Sequence, residues 1–263
     1  MDRLCALALT AVEAALQDAG WTPATWAPWA AERGERVGVV FGTAYGCHAT
    51  NEEFYRGLLA EGPRGASPRL FAYTLPSSPL GEISIHIGAR GPAQTLASGG
   101  HAGLEAVGHA GALCRAGRAD VVLAVAAEVG GGTLGALGLH AYEGAVALVL
   151  ERGESARERG ARARAGVVDA RSSFCAGAPG QATASVGATL LAPLGGAGAA
   201  PERHDAGVSD GAVAGLRDLV AWCTRPLPLS PGRALFTAAD PAGGACALAL
   251  VTAPAADPAA RRG

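Results

Sequence analysis

The residues that could carry chemistry lie in Gly91–Ala106, which reads G-P-A-Q-T-L-A-S-G-G-H-A-G-L-E-A. The order of residues predicts a short strand, then a tight corner at the glycine pair Gly99–Gly100, then the start of a helix. In α/β enzymes such a corner often lifts a nucleophile off the sheet toward the helix N-terminus. The apex here is Gly100, which has no side chain, so any chemistry would fall to neighbours such as Ser98 and His101.

Three side chains remain candidates for a pocket or residual catalytic role: Ser98, His101 and Cys47. Ser98 has no recognisable base and orienting group, so a substitute nucleophile is the weaker interpretation. His101 could serve as a base or a hydrogen-bond donor, although a histidine at a helix start more often lies partly exposed. Cys47 lies in a glycine loop and could react, but a structural thiol is the commoner outcome.

No metal and no cofactor are predicted. The six cysteines show no CxxC spacing, and His48, His86 and His109 lack an HxxxH pattern with a carboxylate. The glycine run Gly130–Gly132 lacks the Lys-Ser/Thr of a phosphate loop and the full dinucleotide fingerprint. A zinc site, a disulfide framework and a nucleotide site are therefore all disfavoured.

Composition narrows the class of partner. The formal net charge of -2 favours neither nucleic acid nor an anionic membrane as a partner. No apolar run is long enough to span a bilayer, and the stretch 4–9 is too short for a signal peptide. We therefore expect a cytoplasmic protein. The hydrophobic fraction is 49% but aromatic residues make up only 5%, which favours close helix–sheet packing by small side chains.

Strand and helix patterns alternate along the chain and predict an α/β fold with one main sheet. Mainly apolar runs typical of buried strands occur at 37–41, 120–127 and 145–150, and 93–98 is predicted to be a further strand. The segment 68–91 fits both a strand and a helix. From 176 to 208 the composition shifts to Gly, Ala and Pro with little pattern, which predicts a flexible segment. The tail 254–263 is predicted to be disordered.

Four stretches together carry a resemblance to a known family. They are V37-G-V-V-F-G-T-A-Y-G46 with N51-E-E-F54, R90–A106, R118-A-D-V-V-L-A-V-A-A-E128 and G138-L-H-A-Y-E-G-A-V-A-L-V-L-E-R152. On these stretches the chain resembles the β-ketoacyl synthases, whose fold is thiolase-like, with a mixed sheet and packed helices. A fifth and weaker match, F236-T-A-A-D-P-A-G-G-A-C-A-L-A-L-V251, resembles the family's last glycine turn and closing strand.

The resemblance implies a shortened member of the family. It places a ketosynthase N-terminal-like half at 1–175 and a remnant of the C-terminal half at 209–253, on either side of the flexible segment 176–208. The family's acyl-accepting cysteine falls on Gly100. The family's two catalytic histidines should follow Arg152, where His204 is the one histidine in the sequence. The neighbours of His204 lack the glycines and the threonine of the family's histidine motifs.

These departures imply a non-catalytic subunit similar to a chain-length factor. The resemblance then predicts a heterodimer with an active ketosynthase in type II polyketide or polyene biosynthesis, and contact with an acyl carrier protein through that complex. Ala93, Gln94, Thr95, Leu96, Ala97 and Ser98 would form the antiparallel seam with the partner. Two alternatives stay open: a residual enzyme that decarboxylates or hydrolyses carrier-protein thioesters, and a stand-alone binding protein.

Overall fold

Two four-stranded mixed sheets with packed helices form the structure. A computed structural model describes residues 1–139, 143–194, 201–208, 211–225 and 232–252. Its strands are β1 (Val37–Gly42), β2 (Ala93–Leu96), β3 (Val121–Glu128), β4 (Gly144–Glu151), β5 (Ala165–Phe174), β6 (Glu202–Val208), β7 (Arg233–Ala239) and β8 (Gly244–Thr252). Its helices are α1 (Arg3–Asp18), α2 (Pro23–Arg33), α3 (His48–Glu61), α4 (Pro68–Phe71), α5 (Ser78–Ile87), α6 (Ala102–Arg115), α7 (Gly132–Ala136), α8 (Gly153–Glu158), α9 (Pro179–Leu194) and α10 (Val213–Cys223).

The first sheet has the strand order β2-β1-β3-β4. Strands β2 and β3 run parallel to β1, whereas β4 runs antiparallel to β3. Every residue of β1 and β3 is buried, as expected for continuous apolar runs that are covered on both faces. Strand β2 lies at the edge and pairs only with β1 among the described strands.

The second sheet has the order β5-β8-β7-β6. Helix α6 contacts strands of both sheets, and its buried residues share one apolar cluster with β1, β3, α10, β7 and β8. The small side chains predicted from composition make this packing possible. A Cβ at Gly103 of α6, for example, would overlap the carbonyl of Ala212. Because α6 begins at the corner identified above, the corner lies where the two sheets meet.

The mixed α/β fold predicted from the sequence is confirmed, but two sheets stand where we expected one main sheet, and several element boundaries differ. The ambiguous segment 68–91 contains the helix α5, whose Ile83 and Ile87 are buried one turn apart. Residues 165–174 form β5 of the second sheet, so the first sheet ends at Glu151.

The described part of the segment 176–208, which we predicted to be flexible, contains secondary structure. It contains α9, which packs on β5, β7 and β8, and β6, which pairs with β7. Alanine-rich helices bury little side chain and show weak periodicity, which explains why the sequence did not predict α9. The predicted disordered tail 254–263 lies outside the described residues. In the described part of the chain, no helix is long and apolar enough to cross a membrane.

Candidate functional site

The glycine corner connects β2 to α6. Gly99 has a φ of +89°, a left-handed conformation that favours glycine. Gly100 at the apex is buried, and His101 follows as the residue that precedes the first turn of α6. The predicted strand–corner–helix is thus confirmed, with the strand ending at Leu96 and the helix starting at Ala102.

A second glycine turn, Asp240–Gly244, contacts this corner. His101 Nδ1 lies 3.0 Å from Asp240 Oδ2, and the two side chains are 8% and 11% exposed. The other oxygen, Asp240 Oδ1, accepts hydrogen bonds from the backbone N–H groups of Ala242 (2.7 Å) and Gly243 (3.2 Å). A Cβ on Gly244 would overlap Asp240 Oδ2 and His101 Cε1, so glycine is needed for the two turns to meet.

A second carboxylate, Glu105, lies one turn along α6. It accepts hydrogen bonds from the hydroxyls of Ser98 and Ser172, the latter at 3.2 Å. His101 Nε2 lies 3.9 Å from Glu105 Oε2, which is too far for a hydrogen bond. The imidazole is therefore placed between Asp240 on one side and Glu105 on the other.

A cavity of about 750 Å³ opens beside these groups. Its polar wall contains Ser98, His101, Asp240 and Ser172, and both Gly99 and Gly100 line it as well. Its remaining lining is mainly apolar or small, with Ala44, Tyr45, Ala97, Leu139, Ser173, Phe174, Pro241, Ala242 and Gly244. A mostly apolar cleft with a few converging polar groups is the usual form of a small-molecule site.

The third candidate, Cys47, does not join this cavity. It is buried, and its thiol donates to the carbonyl oxygen of Leu75 at 3.1 Å. Burial raises the pKa of Cys47 to about 12, so the thiolate needed for nucleophilic attack is scarce at neutral pH. The six cysteines are all free and all lie within the described residues, and none of them lines the cavity.

Three of the described histidines outside the corner have other surroundings. His86 pairs with Glu13 at 2.9 Å, and His109 is exposed. His204 lies 2.9 Å from Glu202 and stacks on Phe236, so it does not join the cavity. Within the described ranges no cluster of His, Cys, Asp or Glu side chains could hold a metal ion.

Glu128 at the end of β3 fixes the loop that forms one side of the site. Its carboxylate is fully buried and accepts hydrogen bonds from the Thr43 hydroxyl and from the backbone N–H groups of Ala44, Tyr45 and Ala212. Burial raises the pKa of Glu128, and the hydrogen bonds oppose that rise. Ala44 and Tyr45 line the cavity, so this carboxylate positions part of its wall.

Sequence reasoning missed three polar residues of the site: Glu105, Ser172 and Asp240. Glu105 follows His101 by one helical turn, a spacing that could have indicated the contact. Ser172 and Asp240 belong to the second sheet and its glycine turn. Ser172 and Asp240 reach the corner only because the two sheets pack together.

The chain matches one family model over more than half of its length. Residues 1–147 match the model described as beta-ketoacyl synthase, N-terminal domain. The tetracenomycin polyketide synthase ketoacyl synthase alpha subunit of Streptomyces glaucescens is 37% identical over 133 residues, which cover 48% of this chain and 30% of that protein. A putative polyketide beta-ketoacyl synthase 2 of Streptomyces cyaneus is 29% identical over 236 residues, covering 80% of this chain and 55% of that protein.

Solved structures match over nearly the whole chain. The ishigamide ketosynthase/chain length factor superposes with a TM-score of 0.79 at 19% identity, covering 97% of this chain and 82% of that one. A ketosynthase bound to its acyl-carrier protein, AntDE:AntF, gives the same TM-score at 19% identity. The structural likeness shows a thiolase-like ketosynthase fold. On the family match over residues 1–147, the chain belongs to the β-ketoacyl synthase family.

Proposed function

We propose that the chain is a non-catalytic, chain-length-factor-like subunit that pairs with an active ketosynthase in type II polyketide or polyene biosynthesis. It would shape the tunnel that holds the growing acyl chain, and would act in the cytoplasm with an acyl carrier protein. One observation carries the proposal: Gly100 occupies the buried apex of a corner that is otherwise built like a nucleophile elbow.

The surroundings of Gly100 support a missing nucleophile. Acyl transfer through a thioester needs a thiolate at the apex. Burial raises the pKa of Cys5 and Cys246, as of Cys47, to about 12. The sequence after Arg152 also lacks the family's histidine motifs, and of the described histidines His101 lines the cavity whereas His204 does not.

The names of similar proteins support the pathway and the partner. The curated relatives in Streptomyces are polyketide ketosynthases, and the superposed structures are a ketosynthase with a chain length factor and a ketosynthase with its carrier protein. The longest of the curated alignments described above covers 55% of its relative, so the chain spans about half of that protein. The partner and the carrier protein are therefore part of the proposal.

Strand β2 is suited to the partner seam. Val39 N–H donates to Pro92 O and Thr43 N–H donates to Leu96 O, so alternate residues 92, 94 and 96 face β1. The backbone groups of Ala93 and Thr95 then point away from the sheet and are free to pair with a strand of a partner. An antiparallel strand from a similar subunit would close this edge by a pseudo-twofold interface.

Co-expression with an active type II ketosynthase tests the pairing. We expect a 1:1 complex by affinity capture and light scattering. Thr95→Pro removes an outward N–H group without disturbing the ladder to β1, and should abolish the complex. Thr95→Val keeps that N–H group and should bind normally. A chain that stays a stable monomer and never captures a ketosynthase would refute the proposal.

A residual enzyme is the second candidate. Ser98 and His101 both line the cavity, and the Ser98 hydroxyl donates a hydrogen bond to Glu105. Serine, carboxylate and imidazole are groups that can hydrolyse a thioester. Incubation of the isolated chain with malonyl- and acyl-carrier protein, followed by mass spectrometry, decides between the two. Turnover that is lost in Ser98→Ala, or an adduct on Ser98 or Cys47, would establish the enzyme.

A further inference from the structure

Strands β4 and β8 are equivalent strands of the two sheets. In each sheet a parallel pair, β1 with β3 or β6 with β7, is followed by an antiparallel strand, β4 or β8. The two strands read G-A-V-A-L-V-L-E from Gly144 and G-A-C-A-L-A-L-V from Gly244, identical at the glycine, the first two alanines and both leucines. The sheets therefore repeat one arrangement, and β4 can be compared with β8 position by position.

The outer edges of these two strands differ. Strand β8 is paired on both sides, with β7 and with the antiparallel strand β5, and its residues Ala245–Leu250 are at most 2% exposed. Strand β4 pairs with β3 alone among the described strands, and every residue of Gly144–Glu151 is partly exposed. The place beside β4 that corresponds to β5 therefore holds no strand of the described chain.

Backbone groups on this edge of β4 point away from the sheet. The N–H group of Arg152 donates to the carbonyl oxygen of the directly opposite Asp120, so the even-numbered residues of β4 face β3. The N–H and C=O groups of Ala145, Ala147 and Val149 then face outward, and they make no hydrogen bond to another described element. Such a row of backbone groups is a template for an added strand.

The β4 edge also differs from the other three described sheet edges. Edge strands are usually kept from pairing by shortness, by charged residues or by irregular register. Strand β2 has only four residues, whereas β5 and β6 each carry charged residues and a shift in register. Strand β4 has eight residues and is uncharged up to Glu151. Its composition therefore favours pairing.

Helices already cover both faces of the sheet at this edge. In the second sheet, α9 and α6 contact both β8 and β5, and in the first sheet α1 and α10 contact β4. Val149 packs on the apolar cluster that includes α1, and Leu148 packs on the cluster that includes α6 and α10. A strand beside β4 would continue both clusters, which favours uncharged and mainly apolar side chains.

We propose that the β4 edge binds one β-strand of a second polypeptide, which pairs antiparallel with β4 as β5 pairs with β8. The added strand is an uncharged, mainly apolar segment long enough to follow the eight residues of β4. Main-chain hydrogen bonds to Ala145, Ala147 and Val149 supply the affinity, and the two apolar clusters select the side chains. The inference is independent of the proposed ketosynthase pairing, which uses β2 at the opposite edge of this sheet.

A synthetic peptide of the same length as β4 tests the binding. Its sequence is arginine, valine, threonine, valine, isoleucine, threonine, valine and arginine, with acetylated and amidated ends. Fluorescence anisotropy of a labelled copy measures binding to the full chain, and hydrogen exchange with residue-level fragmentation follows β4. We expect saturable binding and at least about tenfold slower exchange of the Ala145, Ala147 and Val149 amides.

N-methylated peptides are the ligand control, because they lose backbone donors and keep their side chains. Methylation of one alternate set of amides should abolish binding, and methylation of the other set should be tolerated. Loss with both sets, or with neither, contradicts strand addition. Failure of the unmodified peptide to bind, or protection outside β4, would also overturn the proposal.

Variants of Ala147 test the same edge from the protein side. Ala147→Pro removes an outward N–H group and keeps the ladder to β3, so it should weaken peptide binding at least about tenfold. Ala147→Ser keeps that N–H group and should bind within about twofold of the unchanged chain. Should the proline variant not fold by circular dichroism, the exchange of the unchanged chain decides the question.

A second copy of this chain is the competing occupant of the edge. Analytical ultracentrifugation of the unchanged chain and of Ala147→Pro separates the two cases. We expect no self-association that depends on Ala147, and a dimer that the proline variant abolishes would overturn the proposal. Capture of a ketosynthase is scored separately with the Thr95 variants, so either proposal can fail alone.

Discussion

Two acidic sites lie at the carboxyl end of the first sheet, and they are built differently. Glu128 is fully buried and accepts four hydrogen bonds, three of them from backbone N–H groups. In the second site, Asp240 and Glu105 flank the imidazole of His101, and both Asp240 and His101 line a cavity of about 750 Å³. Glu128 is enclosed by protein donors, whereas Asp240 also borders space that a ligand can occupy.

This difference separates a structural polar group from a site. A buried carboxylate with a full set of donors fixes the chain around it, and its removal should cost stability. A polar side chain that borders a cavity can instead take part in ligand recognition. Variants at the two places should therefore split into those that unfold the protein and those that change ligand binding.

The largest expected effect is at the enclosed carboxylate. Glu128→Ala leaves buried N–H groups without an acceptor and should lower the free energy of unfolding by about 3 kcal/mol. Glu128→Gln keeps one acceptor oxygen and should cost about 1 kcal/mol. Urea unfolding followed by circular dichroism at pH 7 measures both. Equal and small losses would show that Glu128 does not hold the loop.

The second largest loss of stability is expected from a methyl group added where the two glycine turns meet. Gly244→Ala places a Cβ against Asp240 and His101, and should cost about 2 kcal/mol through overpacking. Gly81→Ala is the matched control, since a Cβ there meets nothing within 4 Å on an exposed position of α5. It should stabilise the chain by about 0.5 to 1 kcal/mol through helix propensity. A stabilising Gly244→Ala would contradict the close contact.

A third carboxylate, Asp120, is ion-paired. Its pKa is lowered, whereas the pKa of Glu128 is raised, so the two should affect stability oppositely as the pH changes. Arg36 Nη2 donates to Asp120 Oδ1 at 2.6 Å, and this contact lowers the pKa of Asp120. The stabilisation is complete above the carboxyl's ordinary pKa and is lost as the pH falls through the lowered pKa. Asp120→Asn should therefore cost about 1 kcal/mol at pH 7, and less as the pH falls toward 3. A cost that grows on acidification would contradict the ion pair.

The smallest effect concerns Cys47. With a pKa of about 12 and a buried thiol, it should stay unlabelled when the native chain is treated with iodoacetamide at pH 8. Cys175, which is only partly buried, serves as the internal control and should react. Peptide mapping by mass spectrometry gives both extents. Rapid native labelling of Cys47 would restore it as a candidate nucleophile.

Local patterns predicted the elements of the first half well. The apolar runs at β1 and β3 and the glycine corner before α6 were correct because each depends on neighbours in sequence. The helix α9 was missed because alanine and glycine give little amphipathic signal. Asp240 and Ser172 could not be assigned to the corner, since their contacts with α6 depend on how the two sheets pack. Gly100 was identified as the apex because its flanking residues fix the register.

The most direct test of the central claim is intact-mass spectrometry of the complex with its ketosynthase after incubation with an acyl-carrier-protein thioester. If Gly100 leaves the chain without a nucleophile, the partner should gain the mass of the acyl group and this chain should keep its unmodified mass. A stoichiometric acyl adduct on this chain would contradict the account.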